Sequence, residues 1–173
     1  MCTVFHTASL VDISPNPSPA IDRVNVDGTR HVIDACTASA SVARLIYTSS
    51  IDACYDGRPV RAGDESHPYA PAPHLTAYIR TKGAAERLVL AADSGRGCGG
   101  VGALATCALR PGHIYGPDDP MIDVVCGLVR AGGVPVRFGD GVNDYLFVDN
   151  CAAAHVQCLQ AMCADPAACR GKA

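Results

Sequence analysis

The octapeptide ARLIYTSS, Ala43–Ser50, is a near-continuous apolar run of β-branched and aromatic residues that closes on three hydroxyls. Such a run predicts a strand buried on both faces, the kind found inside parallel sheets. Upstream, TVFHTAS (Thr3–Ser9) has the same character and ends in small residues. Between the two, SPNPSPA breaks the chain, and a helical pattern follows over Ala20–Ser39, with Ile21, Val24, Val32, Ile33 and Cys36 on one side. Downstream lies a long polar connection, Asp52–His74, and then a helix over Leu75–Ala92. A third buried strand, ALATCALRP (Ala103–Pro111), precedes a loop, GHIYGPDDP, and a short helix over Ile122–Ala131. VPVRF and DYLFV give two weak strand signals, and a last helix runs from Asn150 to about Cys163. Strand and helix alternating in this way predict an α/β fold, a doubly wound parallel sheet with right-handed crossovers.

Composition narrows the function classes. The 173 residues suffice for one domain, with 49% hydrophobic and 18% charged residues, which predicts a globular, soluble chain. A net charge of −3, no Lys/Arg block and no Trp argue against a nucleic-acid partner. No uninterrupted apolar run reaches about 18 residues. Ten cysteines contain no C-x-x-C and six histidines no zinc-like spacing, so reduced, structural thiols and no metal are expected.

Ligands of doubly wound sheets bind beyond the carboxyl ends of the strands. That rule sets Ala8 and Ser9, Ser49 and Ser50, and Pro111–Ile114 along one rim, with Tyr78 opening the helix that follows the second rim loop. In AYIRTKGAAERLVLAA (Ala77–Ala92), Tyr78 and Lys82 share a helix face. A lysine one turn from a phenol favours the phenolate, and a serine at a neighbouring strand end can hold a substrate oxygen beside it. Ser50, Tyr78 and Lys82 therefore suit interconversion of an alcohol and a carbonyl, which also needs a nicotinamide to carry hydride. The same residues read equally as a rim tyrosine with a lysine lying over it, and as turn or cap serines.

YTSSI (Tyr47–Ile51), the Y-x-x-x-K of AYIRTK, TCALRPGHIYGP (Thr106–Pro117), VFHTAS and VNVDGTRHVIDAC (Val24–Cys36) occur in one order along the chain. Together they resemble the extended short-chain dehydrogenase/reductases, and within them the 3β-hydroxysteroid dehydrogenase family, which includes sterol-4α-carboxylate 3-dehydrogenases. The resemblance implies a partial Rossmann-type sheet over residues 1–115 and a small substrate-binding portion with a returning helix over 116–173. It implies NAD as cofactor, with NADP as the alternative, and oxidation of the 3β-hydroxyl of a steroid or sterol.

Carried over by position, the resemblance makes Tyr78 the acid/base, Lys82 its modulator and a ribose ligand, and Ser50 the substrate-orienting hydroxyl. Asn25 matches an asparagine that supports the lysine through water. Ala8 and Ser9 fall on the adenosine side of the cofactor, and Pro111, Gly112, His113 and Ile114 along the nicotinamide. His155 falls in a segment where a buried structural role is expected. A homodimer, an intracellular location in the cytoplasm or at the endoplasmic reticulum, and attachment to a membrane through segments beyond this chain are compatible with the family.

The family opens with a strand, a G-x-x-G-x-x-G turn and a helix, whereas this sequence begins at the equivalent of the fourth strand. The strand at Thr3–Ser9 is thus expected at a bare edge, and the chain alone is expected to bind cofactor poorly. The G-x-G-x-x-G of GRGCGG (Gly95–Gly100) follows a helix and precedes a strand, the reverse of the order that phosphate binding requires, and reads as a connection. A nucleotide-sugar epimerase, a dihydroflavonol-type reductase or an inactive fragment of such an enzyme are the competing readings.

Overall fold

A computed structural model describes residues 1–71, 76–95, 101–133 and 143–173. Three parallel strands, β1 (Cys2–His6), β2 (Val42–Thr48) and β3 (Ala105–Leu109), form a sheet in the order β1-β2-β3. Alternation along β2 sends Leu45 and Tyr47 to one face and Ile46 to the other. The first face is covered by α1 (Gly28–Ala38) and α2 (Ala77–Ala91), through Cys36, Ala85 and Val89. The second is covered by α4 (Val148–Ala164), through Cys158 and Met162, which meet Ala105 and Cys107. Both faces being covered is what makes β2 apolar end to end, and the sheet is doubly wound as the sequence predicts.

The differences from expectation are local. Thr76 caps α2, its hydroxyl accepting from the Ile79 amide at 3.3 Å, and the helix runs from Ala77. A π-turn, Arg23–Asp27, leads into α1. Its wider turn aligns residues four apart, so Ile21, Asn25 and Thr29 are buried while Val24 is 42% exposed. Reading apolar residues at α-helical spacing put Val24 on the inner face, and the π-turn is why it is not there.

The segment expected to be a plain loop contains β4 (His113–Tyr115), which pairs in parallel with β5 (Tyr145–Phe147). Between them lies α3 (Pro120–Arg130), and α5 (Pro166–Cys169) follows α4. VPVRF, residues 96–100 of the glycine-rich segment and the expected helix start at Leu75 lie outside the described residues. Among the described residues the nine cysteines are free thiols, five of them buried as small apolar groups. No helix of the described residues is long and apolar enough to cross a membrane.

β1 is an edge of this sheet, with Phe5 40% exposed. At the other edge the chain's last residues lie along β3: Gly171 donates to the Thr106 carbonyl at 2.7 Å and Ala108 to the Lys172 carbonyl at 3.0 Å. Arg170 holds this tail through an ion pair with Asp93 at 2.9 Å. Burial pushes the Asp93 carboxyl up, but Arg170 and the Thr106 and Gly95 amides outweigh it and hold it below its usual range. A carboxyl depressed on folding stabilises above its unfolded pKa of about 3.9, and that stabilisation is lost as pH falls through the folded value. Acidification below about pH 4 should therefore release the tail, seen as loss of hydrogen-exchange protection at Ala108 and Gly171. Asp93→Asn should produce the same loss at neutral pH, and retained protection there would contradict the tether.

Candidate active site

The rim is built from strand ends. Beyond β2, Ser49 donates its amide to the Leu109 carbonyl at 2.7 Å and Ile51 donates to the Pro111 carbonyl at 3.1 Å. These bonds lock the serine pair beside the loop that follows β3. The Ser50 hydroxyl accepts from the Asp52 amide at 3.1 Å, capping a 3-10 turn, Ile51–Cys54. Tyr78 stands near enough for the Ser50 hydroxyl to lower its phenol pKa. The capping reading of Ser50 is realised in this hydroxyl.

On α2, Tyr78, Lys82 and Glu86 follow one another at four-residue spacing, which places them on one face. Tyr78 is half-buried, while Lys82 and Glu86 are 2% and 0% exposed. The Lys82 ammonium donates to the Thr48 carbonyl at 2.6 Å and lies 4.8 Å from the centre of the Tyr47 ring. Burial brings its pKa down to about 8, with Glu86 acting in the opposite sense. Between about pH 8 and 10.5 the unfolded chain keeps this proton and the folded chain does not, so Lys82 makes stability rise with pH in that window.

The expected lowering of the Tyr78 pKa by Lys82 does not occur. Burial and the Asp52 charge push the phenol up, and Ser50 offsets part of this. Lys82 is turned toward Thr48 and Tyr47 behind the rim, so its charge acts on the strand end instead of the phenol.

Asn25 has a role other than the expected one. Its oxygen accepts from the Leu10 amide at 2.7 Å and the Ser9 hydroxyl at 3.3 Å, and its nitrogen donates to the Leu10 carbonyl and the Thr81 hydroxyl, each at 3.0 Å. The amide is saturated within the protein and has no donor or acceptor left for a water leading to Lys82. It pins the loop after β1 to α2 at the residue before Lys82. Ser9 is therefore tied to the site through Asn25, and Ala8 is exposed beside it.

Pro111 and Gly112 are partly buried. Gly112 is required where it stands, because a Cβ would come within 2.8 Å of the Asp144 carbonyl oxygen. His113 donates its amide to that same oxygen at 2.8 Å, and His113 and Ile114 continue into β4 with their side chains exposed. Ser50, Tyr78 and Pro111 therefore converge, while His113 and Ile114 extend the wall away from them.

His155 is buried, with Nε2 2.7 Å from the Thr48 hydroxyl and Nδ1 2.7 Å from the Cys151 carbonyl. A carbonyl accepts only, so Nδ1 carries the proton and Nε2 accepts from Thr48. The imidazole ties α4 to the end of β2, the structural role expected of it.

Glu86 and Arg110 went unassigned in the sequence. Arg110 pairs with Glu86 at 2.6 Å, with side chains 11% and 0% exposed. The available signal was Glu86 continuing the Tyr78–Lys82 face, and an arginine closing an apolar strand.

The 3-beta hydroxysteroid dehydrogenase/isomerase family model matches residues 1–173. Short-chain dehydrogenase/reductase family 42E member 1 of Danio rerio is 38% identical over 165 residues, 92% of this chain and 42% of that protein. The 3beta-hydroxysteroid-dehydrogenase/decarboxylase isoform 1 of Arabidopsis thaliana is 39% identical over 170 residues, 96% of this chain and 37% of that protein. Among solved structures, MoeE5 in complex with UDP-glucuronic acid and NAD superposes with a TM-score of 0.67 at 33% identity, over 89% of this chain and 50% of that one. The Thermus thermophilus UDP-glucose 4-epimerase complex with NAD gives a TM-score of 0.69 at 25% identity, over 91% and 52%. The chain spans two-fifths to half the length of these proteins.

Proposed function

The chain belongs to the 3-beta hydroxysteroid dehydrogenase/isomerase family, and from that premise we propose that it carries the catalytic half of an NAD-dependent oxidoreductase acting on the 3β-hydroxyl of a steroid or sterol. The buried Lys82 ammonium on the Thr48 carbonyl, two residues before Ser50, with Tyr78 one turn earlier on α2, carries this reading.

A nicotinamide dinucleotide fits these residues at its reactive end. Among the described residues the one acceptor given to the buried Lys82 ammonium is the Thr48 carbonyl, so two of its three N–H groups are unused, as a ribose diol would require. Lys82, Tyr78 and the Pro111–Gly112 wall would hold that end, and the group would supply the hydride acceptor that side chains lack. Ser50 orients the substrate oxygen by hydrogen bonding. Tyr78 exchanges the proton at that oxygen through its phenolic Oη. Because its pKa is raised, the resting phenol is protonated and is set to donate to a carbonyl oxygen. The oxidising direction needs the phenolate and is expected to accelerate with rising pH.

The apolar side chains of α3 favour a lipid-like substrate over a sugar nucleotide. Val124, Val125, Leu128 and Val129 are 50–67% exposed, so this helix does not bury them against the sheet. The similarity to MoeE5 and to an epimerase is what favours the second reading, a nucleotide-sugar enzyme.

The test joins this chain to the nucleotide-binding front that the family carries and measures NAD reduction with the sterol and, by chromatography, conversion of UDP-glucose, because an epimerase returns its hydride and leaves NAD unreduced overall. A 3β-hydroxysterol should be oxidised and UDP-glucose should not. Turnover of UDP-glucose alone would replace this reading with the second one.

A further inference from the structure

Glu86 is fully buried, and a carboxylate there costs several kcal/mol in desolvation unless it is paired and hydrogen-bonded. Its partners come from three separate segments. Oε1 accepts from the Tyr69 phenol at 2.7 Å and from Arg110 Nη2 at 2.6 Å and Nε at 3.1 Å. Oε2 accepts from the Ser49 hydroxyl and from Arg110 Nε at 3.2 Å. Ser49 belongs to the strand-end rim, Arg110 follows β3, and Tyr69 lies in the connection between β2 and α2.

The connection is gripped at several points around this carboxylate. Arg110 Nη1 donates to the Glu65 carbonyl at 3.0 Å, and the Arg110 and Arg87 guanidinium groups lie 5.3 and 4.5 Å from the Tyr69 ring centre. Ala70 donates its amide to the Ala53 carbonyl at 3.1 Å. Burial and then the hydrogen bond to Glu86 raise the Tyr69 phenol to about 12, so it remains a donor at neutral pH. Glu86 also lies one turn beyond Lys82, and of the charged groups around that ammonium it is the one that favours it.

We propose that Glu86 is a positioning residue of the site: its carboxylate sets the Ser49–Ser50 strand end and the connection through Tyr69 around Tyr78, and its negative charge balances the buried Lys82 ammonium. This rests on the reading of Tyr78 and Lys82 given above, but its consequences are measurable without turnover. A purely structural ion pair would close the connection and leave Lys82 indifferent to it. A positioning carboxylate closes the connection and also acts on Lys82.

The groups facing Lys82 are His6 from β1, Tyr47 and Thr48 from β2, and Tyr78 and Glu86 from α2, with Arg110 behind Glu86. His6 is itself held below its usual value by burial and by Lys82, so it is neutral in the range where Lys82 titrates. Glu86 is therefore the anion that the experiment should remove.

Lys82 and Lys172 are the two lysines of the 173-residue chain, which makes the test direct. In the chain labelled with 13C- and 15N-lysine, Lys82 should titrate with a midpoint of about 8 by NMR, Lys172→Arg assigning the signal. Glu86→Gln should move that midpoint down by roughly one pH unit or more. Tyr69→Phe keeps the charge, so it should leave the midpoint in place but speed tryptic cleavage after the exposed Arg61 about fivefold. An unchanged Lys82 midpoint in Glu86→Gln, or unchanged cleavage in Tyr69→Phe, overturns the proposal; if Glu86→Gln does not fold, the Tyr69→Phe arm still decides it. Full turnover in a Tyr78→Phe enzyme would instead overturn the reading of the site and leave both results standing.

Discussion

Tyr78→Phe should lower turnover by about 10²- to 10⁴-fold in the chain joined to its nucleotide-binding front, the range that a positioned acid/base contributes. The substitution removes one oxygen and leaves the ring, so helix α2 and its Thr76 cap should persist unchanged. The effect belongs on kcat, because the proton moves only as the reaction proceeds, while KM should change little. The pH profile gives the sign. Burial and Asp52 raise the Tyr78 pKa, so alcohol oxidation should climb through the alkaline range, and carbonyl reduction should decline there. Asp52→Asn removes one of the two causes and should shift the oxidation profile toward lower pH. A Tyr78→Phe enzyme within threefold of its parent would end the assignment of Tyr78 as the acid/base.

The largest stability effect is expected at Arg110. Replacing it with Met removes the fork that holds Glu86 and leaves a fully buried carboxylate without its counter-charge, at a cost of about 3–5 kcal/mol. Urea unfolding of the two proteins measures this directly. Adding Glu86→Gln to Arg110→Met should recover a large part of the loss, since neither partner then buries a charge. A single-variant loss under about 1 kcal/mol would mean that the pair behaves as a surface ion pair, contrary to its burial.

Much of this was legible in the chain. Periodicity located β1, β2, β3, α2 and α4 because each buries a regular face, and the run Ala43–Ser50 named the strand that lies at the centre of the sheet. Elements whose pairing is non-local were hardly legible: DYLFV gave a weak signal for β5, and β4 reads as loop. β4 and β5 are three residues each, and their existence depends on register with one another across some thirty residues. The π-turn that buries Asn25 in place of Val24 is likewise set by packing against the loop after β1, with Leu10 and Ser9 as its partners.

At the site, the order of residues alone shows which types stand at the rim: a serine pair closing a buried strand, and Tyr78 and Lys82 one turn apart on a helix that follows it. Spacing along one helix is a local property, so it could be read without knowing any contact. What Lys82 acts on was decided by the tertiary structure alone. Spacing brings the ammonium near Tyr78, but the fold turns it to the Thr48 carbonyl and sets it opposite Glu86, whose own partners, Ser49, Tyr69 and Arg110, lie 37, 17 and 24 residues away. Charges act through space and are shaped by burial, and neither is written in the order of residues.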